Sequence, residues 1–158
     1  MQSTGHFRSS VWDPFLIISQ MVAMQCLFYS SLCVWIFSLD LITGSSKSLD
    51  QVFRFQMIYM RDSGGAKLLA AYGCNALICA IGLWYFVQRA KQCLDFAFTV
   101  HFWHLLFVWL YNRIFPSYLS WWLMQIVCVA VTTVLGEYLC LRTELKAIPV
   151  SLGSKVDL

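Results

Sequence analysis

Four long stretches without charged residues dominate this sequence. The first covers residues 14–39, between Asp13 and Asp40; as an α-helix it would extend about 39 Å, enough to cross the ~30 Å hydrocarbon core of a bilayer. The other three stretches are residues 68–88, 96–112 and 117–136. Uninterrupted apolar blocks of this length distinguish membrane spans from buried core helices. We therefore predict an all-α membrane protein, a single domain of four transmembrane helices in a polytopic bundle.

Composition agrees with this prediction. Hydrophobic residues make up 59% of the chain and charged residues only 12%, about half the charged share of a soluble protein. The first block is too long for the apolar region of a signal peptide, so we expect it to remain in the mature protein. The net charge of +3 is small and scattered, which argues against a nucleic-acid partner.

The blocks and the loop between the first two carry local signals. The 68–88 block contains small residues that would let another helix approach closely, namely Gly73, Ala76, Ala80 and Gly82. The 96–112 block is short, about 26 Å as a helix, so its end charges must reach the headgroups. Pro116 opens the 117–136 block, with Trp121 and Trp122 near its start.

In loop 40–67 we predict a short interfacial helix capped by Ser48 and Gln51 and ended by Gly64-Gly65.

Basic residues orient the chain. With four spans, both ends and the connection around residues 89–95 share one side, which carries Arg8, Arg89, Lys91, Arg142, Lys146 and Lys155. The other side carries Lys47, Arg54, Arg61, Lys67 and Arg113. The totals are nearly equal, but Arg89 and Lys91 lie in a very short connection at a membrane edge, where basic residues weigh most. We therefore expect both termini to be cytosolic, with loop 40–67 lumenal and residues 137–158 forming a cytosolic tail.

The cysteines do not form a lumenal disulfide framework, because none of the seven lies in loop 40–67. Cys93 is expected in the cytosolic connection beside Lys91, a position where palmitoylation occurs. The favoured interpretation is an unmodified cysteine.

Two histidines interrupt the third block. His101 and His104 are three residues apart, so they share one face of a helix. A metal site would need further ligands at the same depth, but the carboxylates near the spans lie at span ends. We therefore predict no metal, haem or other cofactor. The favoured interpretation is an intramembrane polar seam, in which the histidines bond to polar groups such as Asn75, Gln125 or Thr132.

An alternative function uses the same histidines. Ionisable groups inside a membrane are functional candidates, and histidine titrates near neutrality. The chain could therefore be a small proton-coupled transporter, acting as a dimer, that uses His101, His104 and Glu137. No nucleophile motif, phosphate-binding glycine loop or pair of catalytic carboxylates is present, so we predict that the protein is not an enzyme.

Three stretches resemble a known family. They are "FRSSVWDPFLIISQM" at 7–21, "KQCLDFAFTVHFWHLL" at 91–106 and "WWLMQIVCVAVTTVLGEYLCLRTELKAIPV" at 121–150. In order and spacing they are similar to the SYS-one homologue family of Golgi integral membrane proteins, which have four spans. The resemblance implies a non-catalytic membrane receptor at the trans-Golgi. Its partner would be an ADP-ribosylation-factor-related small GTPase with an acetylated N-terminus, whose recruitment leads to a second Arf-like GTPase, to golgins and to endosome-to-Golgi vesicle traffic.

This role needs a docking surface at the cytosolic headgroup layer, because a short amphipathic helix binds there. An acetylated terminus has lost its charge and can enter an apolar groove. The candidate contact residues are Arg8, Trp12, Asp13, Arg89, Lys91, Gln92, Asp95, Glu137, Arg142 and Glu144. Each charge also has an ordinary interpretation as a headgroup anchor, and Asp13 as a helix N-cap before Pro14. The sequence leaves the oligomeric state open, including a homo-oligomer.

The orientation can be tested by a glycosylation-site scan. The chain has no natural N-x-S/T acceptor, so an acceptor sequon can be placed at the N-terminus, in loop 40–67 or at the C-terminus in turn. We expect glycosylation only in the loop. A shift in mobility for either terminal sequon would reverse the orientation.

Overall fold

A computed structural model describes residues 13–46, 48–59 and 61–147. Within these ranges the chain is helical, and its long helices confirm the predicted all-α bundle. The helices are α1 (Pro14–Thr43), α2 (Asp50–Phe53), α3 (Ser63–Gly82), α4 (Cys93–Asn112) and α5 (Leu119–Ala147). Shorter turns lie at Phe55–Met57, Leu83–Val87 and Ala90–Gln92. Four segments are long and apolar enough to cross a membrane. The candidate residues Arg8 and Trp12, and the tail beyond 147, lie outside the described ranges.

Helix α1 has defined signals at both ends. The carboxylate of Asp13 accepts hydrogen bonds from the backbone nitrogens of Phe15 (3.1 Å) and Leu16 (3.3 Å), and Pro14 occupies the first helical position. These bonds satisfy donors that a helix N-terminus leaves without partners. At the other end, Gly44 adopts a left-handed conformation with φ of 64°. Glycine is the usual residue there because it has no Cβ to clash.

The loop after α1 differs from the prediction in two ways. Ser48 does accept a hydrogen bond from the backbone nitrogen of Asp50 (3.2 Å), but the Gln51 side chain points elsewhere, donating to Asp40 (3.0 Å). The expected capping box is therefore incomplete, and α2 has only four residues. Gly64 and Gly65 do not end a helix, because α3 begins before them at Ser63.

The segment 48–59 packs onto one end of the bundle. Its apolar side chains Val52, Phe55 and Ile58 are buried. Three of its carbonyls accept hydrogen bonds from the long helices: Val52 from Tyr72 of α3 (2.9 Å), Phe53 from Asn112 of α4 (2.7 Å) and Ile58 from Ser120 of α5 (2.7 Å). Irregular backbone is tolerated at membrane depth when protein groups satisfy it in this way. The predicted short helix is thus present as α2, packed onto the bundle, and its position at the membrane interface stays a prediction.

The bounds of helices α4 and α5 differ from those of their uncharged blocks. Helix α4 begins at Cys93, so Asp95 lies in its first turn. Cys93, expected in the connection around residues 89–95, is the first residue of α4 and is fully buried. Helix α5 begins at Leu119, after the buried Pro116, and not at residue 117. It continues past Glu137 and ends at Ala147.

The long helices alternate in direction, and their packing order differs from their chain order. Helix α3 packs mainly against α1 and α5, and α4 packs against α5 and α1, so the consecutive helices α3 and α4 lie on a diagonal. Of the four small residues in α3, Ala76, Ala80 and Gly82 are buried. Gly73 is exposed, and a Cβ there would meet nothing within 4 Å.

A matched pair of glycine substitutions tests this packing. A Cβ at Gly65 would lie 1.8 Å from the backbone oxygen of Tyr59, so Gly65→Ala must displace segment 48–59, at a cost of about 1–3 kcal/mol of stability. Gly73→Ala meets open space and should be neutral or stabilising by up to ~1 kcal/mol, because alanine favours a helix. Thermal unfolding in detergent measures both. Equal effects of the two substitutions would contradict the packing.

Candidate functional site

A hydrogen-bonded cluster lies at the centre of the bundle around His104. We call Tyr29, Tyr72, His104 and the Val52 carbonyl the His104 cluster. The imidazole lies 3.2 Å from the Tyr29 hydroxyl through Nδ1 and 3.2 Å from the Tyr72 hydroxyl through Nε2. His104, Tyr72 and the neighbouring Phe28 are almost completely buried. The cluster therefore joins α4 to α1, α3 and segment 48–59.

The hydrogen bonds assign the protons of this cluster. Tyr72 has one hydroxyl proton and donates it to the Val52 carbonyl (2.9 Å). Its oxygen must then accept from Nε2 of His104, which makes Nδ1 an acceptor for the Tyr29 hydroxyl. The chain of donors runs from Tyr29 through His104 and Tyr72 to Val52. Both ring nitrogens are thereby satisfied, and the imidazole acts as a structural connector between helices.

His101 has a different partner. Its Nδ1 lies 2.7 Å from Oε1 of Gln125 on α5, and its ring packs edge-on against Phe28 at 5.5 Å. Asn75 reaches neither histidine, because its side-chain oxygen accepts from the Ser31 hydroxyl. Thr132 donates to the Ala76 carbonyl (3.2 Å). The expected polar seam is thus divided into separate pairs.

The structure does not bring together the three groups of the transporter alternative. Glu137 is exposed, and it lies twelve residues beyond Gln125 on α5, a rise of about 18 Å. His101 is held by Gln125, and His104 by two tyrosines. Within the described ranges, no cluster of three or more histidine, cysteine or acidic residues could hold a metal ion.

A buried ion pair joins α1 to α3 near the end closed by segment 48–59. Asp40 is 2% exposed; its carboxylate pairs with the Lys67 ammonium and accepts from Gln51 (3.0 Å). Sequence reasoning treated both charges as boundaries of spans and missed their contact. The sequence signal for this contact was that two residues of opposite charge, Asp40 and Lys67, stand at the two ends of loop 40–67.

The tyrosines of the His104 cluster were also missed. Tyr29 and Tyr72 occur in uncharged blocks, where a tyrosine is easily interpreted as interfacial. The available signal for Tyr29 was its depth, because a hydroxyl far from either end of the first block needs a partner inside the bundle. Tyr72 lies only four residues inside its block and gave no such signal. Their convergence on one histidine depends on the diagonal placement of α3 and α4.

The opposite end of the bundle is built around the second half of α5. Helix α5 has 29 residues, about 43 Å of helix against ~30 Å of hydrocarbon, so roughly nine residues project beyond the core when the helix is upright. The projecting part is anchored to the connection between α3 and α4. Glu144 accepts from the backbone nitrogen of Ala90 (3.1 Å), and Thr143 accepts from the Trp84 indole (2.7 Å).

We call residues 88–95 and 137–147 together the connector face. The buried thiols of Cys93 and Cys140, 3.7 Å apart, join its two segments. The N-terminal part of α1 lies at the same end, because Gln20 donates to the Phe86 carbonyl (2.7 Å). The candidate residues exposed on this face are Arg89, Lys91, Asp95, Glu137, Arg142 and Glu144.

Four further observations bear on the candidates. Gln92 is half-buried just before α4, and Asp13 is occupied in capping α1. Glu144 is exposed but its carboxylate holds the connection. Sequence reasoning missed an exposed apolar stripe on α5, formed by Tyr138, Leu141 and Leu145. Their spacing of three and four residues places them on one side of the helix.

Comparison with known proteins identifies the family. Residues 7–150 match the profile of SYS1, described as "Integral membrane protein S linking to the trans Golgi network". The chain belongs to the SYS1 family. It is therefore an integral membrane protein of the trans-Golgi network, from a family of membrane-trafficking proteins and not from a known enzyme family.

Three relatives extend this match. A SYS1 homolog of Nematostella vectensis is 49% identical over 148 residues, which covers 94% of each chain. A homolog of Dictyostelium discoideum is 38% identical over 96% of this chain and 65% of its own length. Protein SYS1 of Saccharomyces cerevisiae is 28% identical over 89% of this chain and 69% of its own. No solved structure matches significantly.

The buried ion pair gives a stability prediction. Lys67→Met leaves the Asp40 carboxylate buried without a counter-ion and should cost about 3–5 kcal/mol. Adding Asp40→Asn removes the charge and should recover most of that loss. Reaction of the buried cysteines with a thiol dye during heating in detergent reports unfolding.

The control for this cycle is the exposed pair of Arg54 and Asp50, whose side chains are about half exposed. Arg54→Met should cost only ~0–1 kcal/mol because solvent screens the pair. A double variant no more stable than Lys67→Met alone would show that the ion pair is not the source of the effect.

Proposed function

We propose that this SYS1-family protein is a receptor at the trans-Golgi membrane that recruits an ADP-ribosylation-factor-related small GTPase through the connector face. The GTPase would carry an acetylated N-terminus. Its recruitment would support Golgi targeting of a second Arf-like GTPase and of golgins, and endosome-to-Golgi vesicle traffic. The proposal includes an orientation with both termini in the cytosol.

The observation that carries the proposal is the ordered projection of α5. The last turns of this helix extend beyond the hydrocarbon thickness and are fixed to the α3–α4 connection by Glu144 and Thr143. A rigid surface at the headgroup layer loses little entropy when it binds a partner. The opposite end is closed by segment 48–59, whose main-chain carbonyls bond to the bundle itself.

The chemistry of this face suits an acetylated amphipathic helix. Tyr138, Leu141 and Leu145 present an exposed apolar stripe, against which the apolar side of a short helix can pack. Acetylation removes the terminal ammonium, which would otherwise lose its hydration at such a surface. Exposed Arg89, Lys91 and Arg142 contribute positive charge to this face, beside the acidic Asp95, Glu137 and Glu144. The basic residues can also anchor the face to anionic headgroups.

A pull-down from detergent tests recruitment. We expect the protein to retain the acetylated GTPase and to retain much less of the unacetylated form. Arg142→Glu on the connector face should weaken retention about tenfold, a loss of ~1.4 kcal/mol. Equal, negligible binding of both GTPase forms would overturn the proposal.

Two control variants separate recruitment from folding. Arg61→Glu reverses an exposed arginine at the other end of the bundle and should leave retention unchanged. His104→Leu removes the buried connector; at normal protein level it should preserve Golgi localisation and GTPase retention, although it lowers stability. Loss of retention in His104→Leu at normal protein level would assign the histidine a direct functional part.

A further inference from the structure

Helix α5 carries a row of apolar residues that repeats at alternating intervals of four and three positions. We call this row the α5 ridge; it consists of Val127, Val131, Val134, Tyr138, Leu141 and Leu145. Five of its members are 49–64% exposed, and Val131 is partly buried. The ridge contains the apolar stripe of the connector face and extends it toward the middle of the helix. Its average interval of 3.5 residues is the repeat by which two α-helices pack along each other in a left-handed pair.

The ridge lies on the side of α5 that faces away from its own bundle. The opposite side carries buried residues at four-residue intervals, namely Cys128, Thr132, Gly136 and Cys140. Because successive residues are turned by about 100° around a helix, these two rows point in roughly opposite directions. Helix α5 packs against α3 and α4 with its buried row, so the ridge is left for a neighbouring molecule.

Lipid can cover only part of the ridge. The valines lie in the hydrocarbon core, where lipid tails are as apolar as a protein partner would be. Leu141 and Leu145 lie in the part of α5 that projects beyond the core, and a row of exposed apolar residues there indicates a protein contact. The interval of the row does not change between the two parts. One partner helix running alongside α5 would therefore cover both.

Two charged residues flank the ridge near the point where it leaves the hydrocarbon. Glu137 precedes Tyr138 on one flank, and Arg142 follows Leu141 on the other. Both are exposed, and neither forms an ion pair with another residue that the structure describes. Their own helix offers no partner: the residues three and four positions from Glu137 are uncharged, and the only charged residue at that interval from Arg142 is Lys146. Each charge can therefore pair across an interface.

A second copy of this chain supplies the matching charge at the matching position. Copies inserted in one membrane share their orientation, so their α5 helices run parallel and lie at equal depth. In such a pair, the residue before an apolar position such as Tyr138 faces the residue five places later on the other helix. Glu137 of one copy then faces Arg142 of the other, and the two-fold symmetry repeats the contact. The corresponding flanking residues inside the membrane, Ala130 and Leu135, are uncharged, as hydrocarbon favours.

We propose that the protein forms a parallel homodimer through the α5 ridge, with two Glu137–Arg142 ion pairs at its projecting end. The self-complementary charges, placed at equal membrane depth, select a second copy as the partner of the ridge. The dimer covers the stripe to which the proposed function assigns the GTPase helix. A bound GTPase would therefore exclude the second copy, and the dimer is the form before recruitment. That consequence rests on the proposed function, whereas the dimer itself does not, and its test contains no GTPase.

Photo-crosslinking of the full chain in phosphatidylcholine vesicles locates the contact. A benzophenone side chain replaces Leu141 on the ridge or, as a control, Leu77 on α3; these leucines are 49% and 48% exposed. We expect a covalent dimer from position 141 at a yield several-fold above that from position 77. Equal yields from the two positions would place the contact elsewhere or nowhere and overturn the proposal.

Charge reversal tests the register of the pair. Energy transfer between donor-labelled and acceptor-labelled copies in the same vesicles measures the dimer. Glu137→Arg and Arg142→Glu each place like charges opposite one another, so each should lower the transfer several-fold. The double variant restores opposite charges and should recover transfer close to that of the unaltered protein. A double variant no better than either single one would contradict the proposed pairing.

A control reversal shows whether the effect belongs to the ridge. Arg61→Glu makes the same change of charge at an exposed arginine on the other end of the bundle, and it should leave the energy transfer unchanged. All the substituted side chains are exposed, and thermal unfolding in detergent verifies that each variant is folded. A loss of transfer in Arg61→Glu equal to that in Arg142→Glu would show a net-charge effect and refute the interface.

Discussion

The structure depends on one constraint, which is that a polar group inside hydrocarbon must find its partner within the protein. The helices satisfy the backbone, and the His104 cluster satisfies the deepest side chains. Through two tyrosines and the Val52 carbonyl, His104 connects α4 with α1, α3 and segment 48–59. Helices α3 and α4 are consecutive in the chain but lie on a diagonal of the bundle, so the cluster connects two helices that otherwise pack little against each other.

The two ends of the bundle satisfy the same constraint differently. At one end, segment 48–59 folds into the bundle, donors from α3, α4 and α5 take up its carbonyls, and the Asp40–Lys67 pair is buried nearby. At the other end the connection between α3 and α4 is short, and the long α5 projects past it with charged and apolar side chains exposed. The two ends of the bundle therefore differ in construction, one closed by main-chain hydrogen bonds and one projecting.

Expectations based on charge-free blocks succeeded for the number of helices and failed at their boundaries. A charge was interpreted as the edge of a span, yet Asp95 lies in the first turn of α4 and Lys67 lies inside α3. Asp95 can remain there because a carboxylate is favoured in the first turn of a helix, and Lys67 because Asp40 neutralises it. Gly64-Gly65 was also interpreted wrongly as a helix end. Both glycines lie inside α3, where Gly65 allows the backbone of Tyr59 to approach closely.

Helix number, the membrane environment and the capping of α1 follow from local sequence, because block length, composition and the Asp-Pro pair act within a few residues of their own position. The pairing of His101 with Gln125, the convergence of Tyr29 and Tyr72 on His104, and the burial of Asp40 with Lys67 required the three-dimensional arrangement. A helix exposes several polar residues to several possible neighbours, and one sequence pattern is compatible with many packing orders. The interhelical contacts select among them, because a packing order that gives buried donors acceptors at their own depth is favoured.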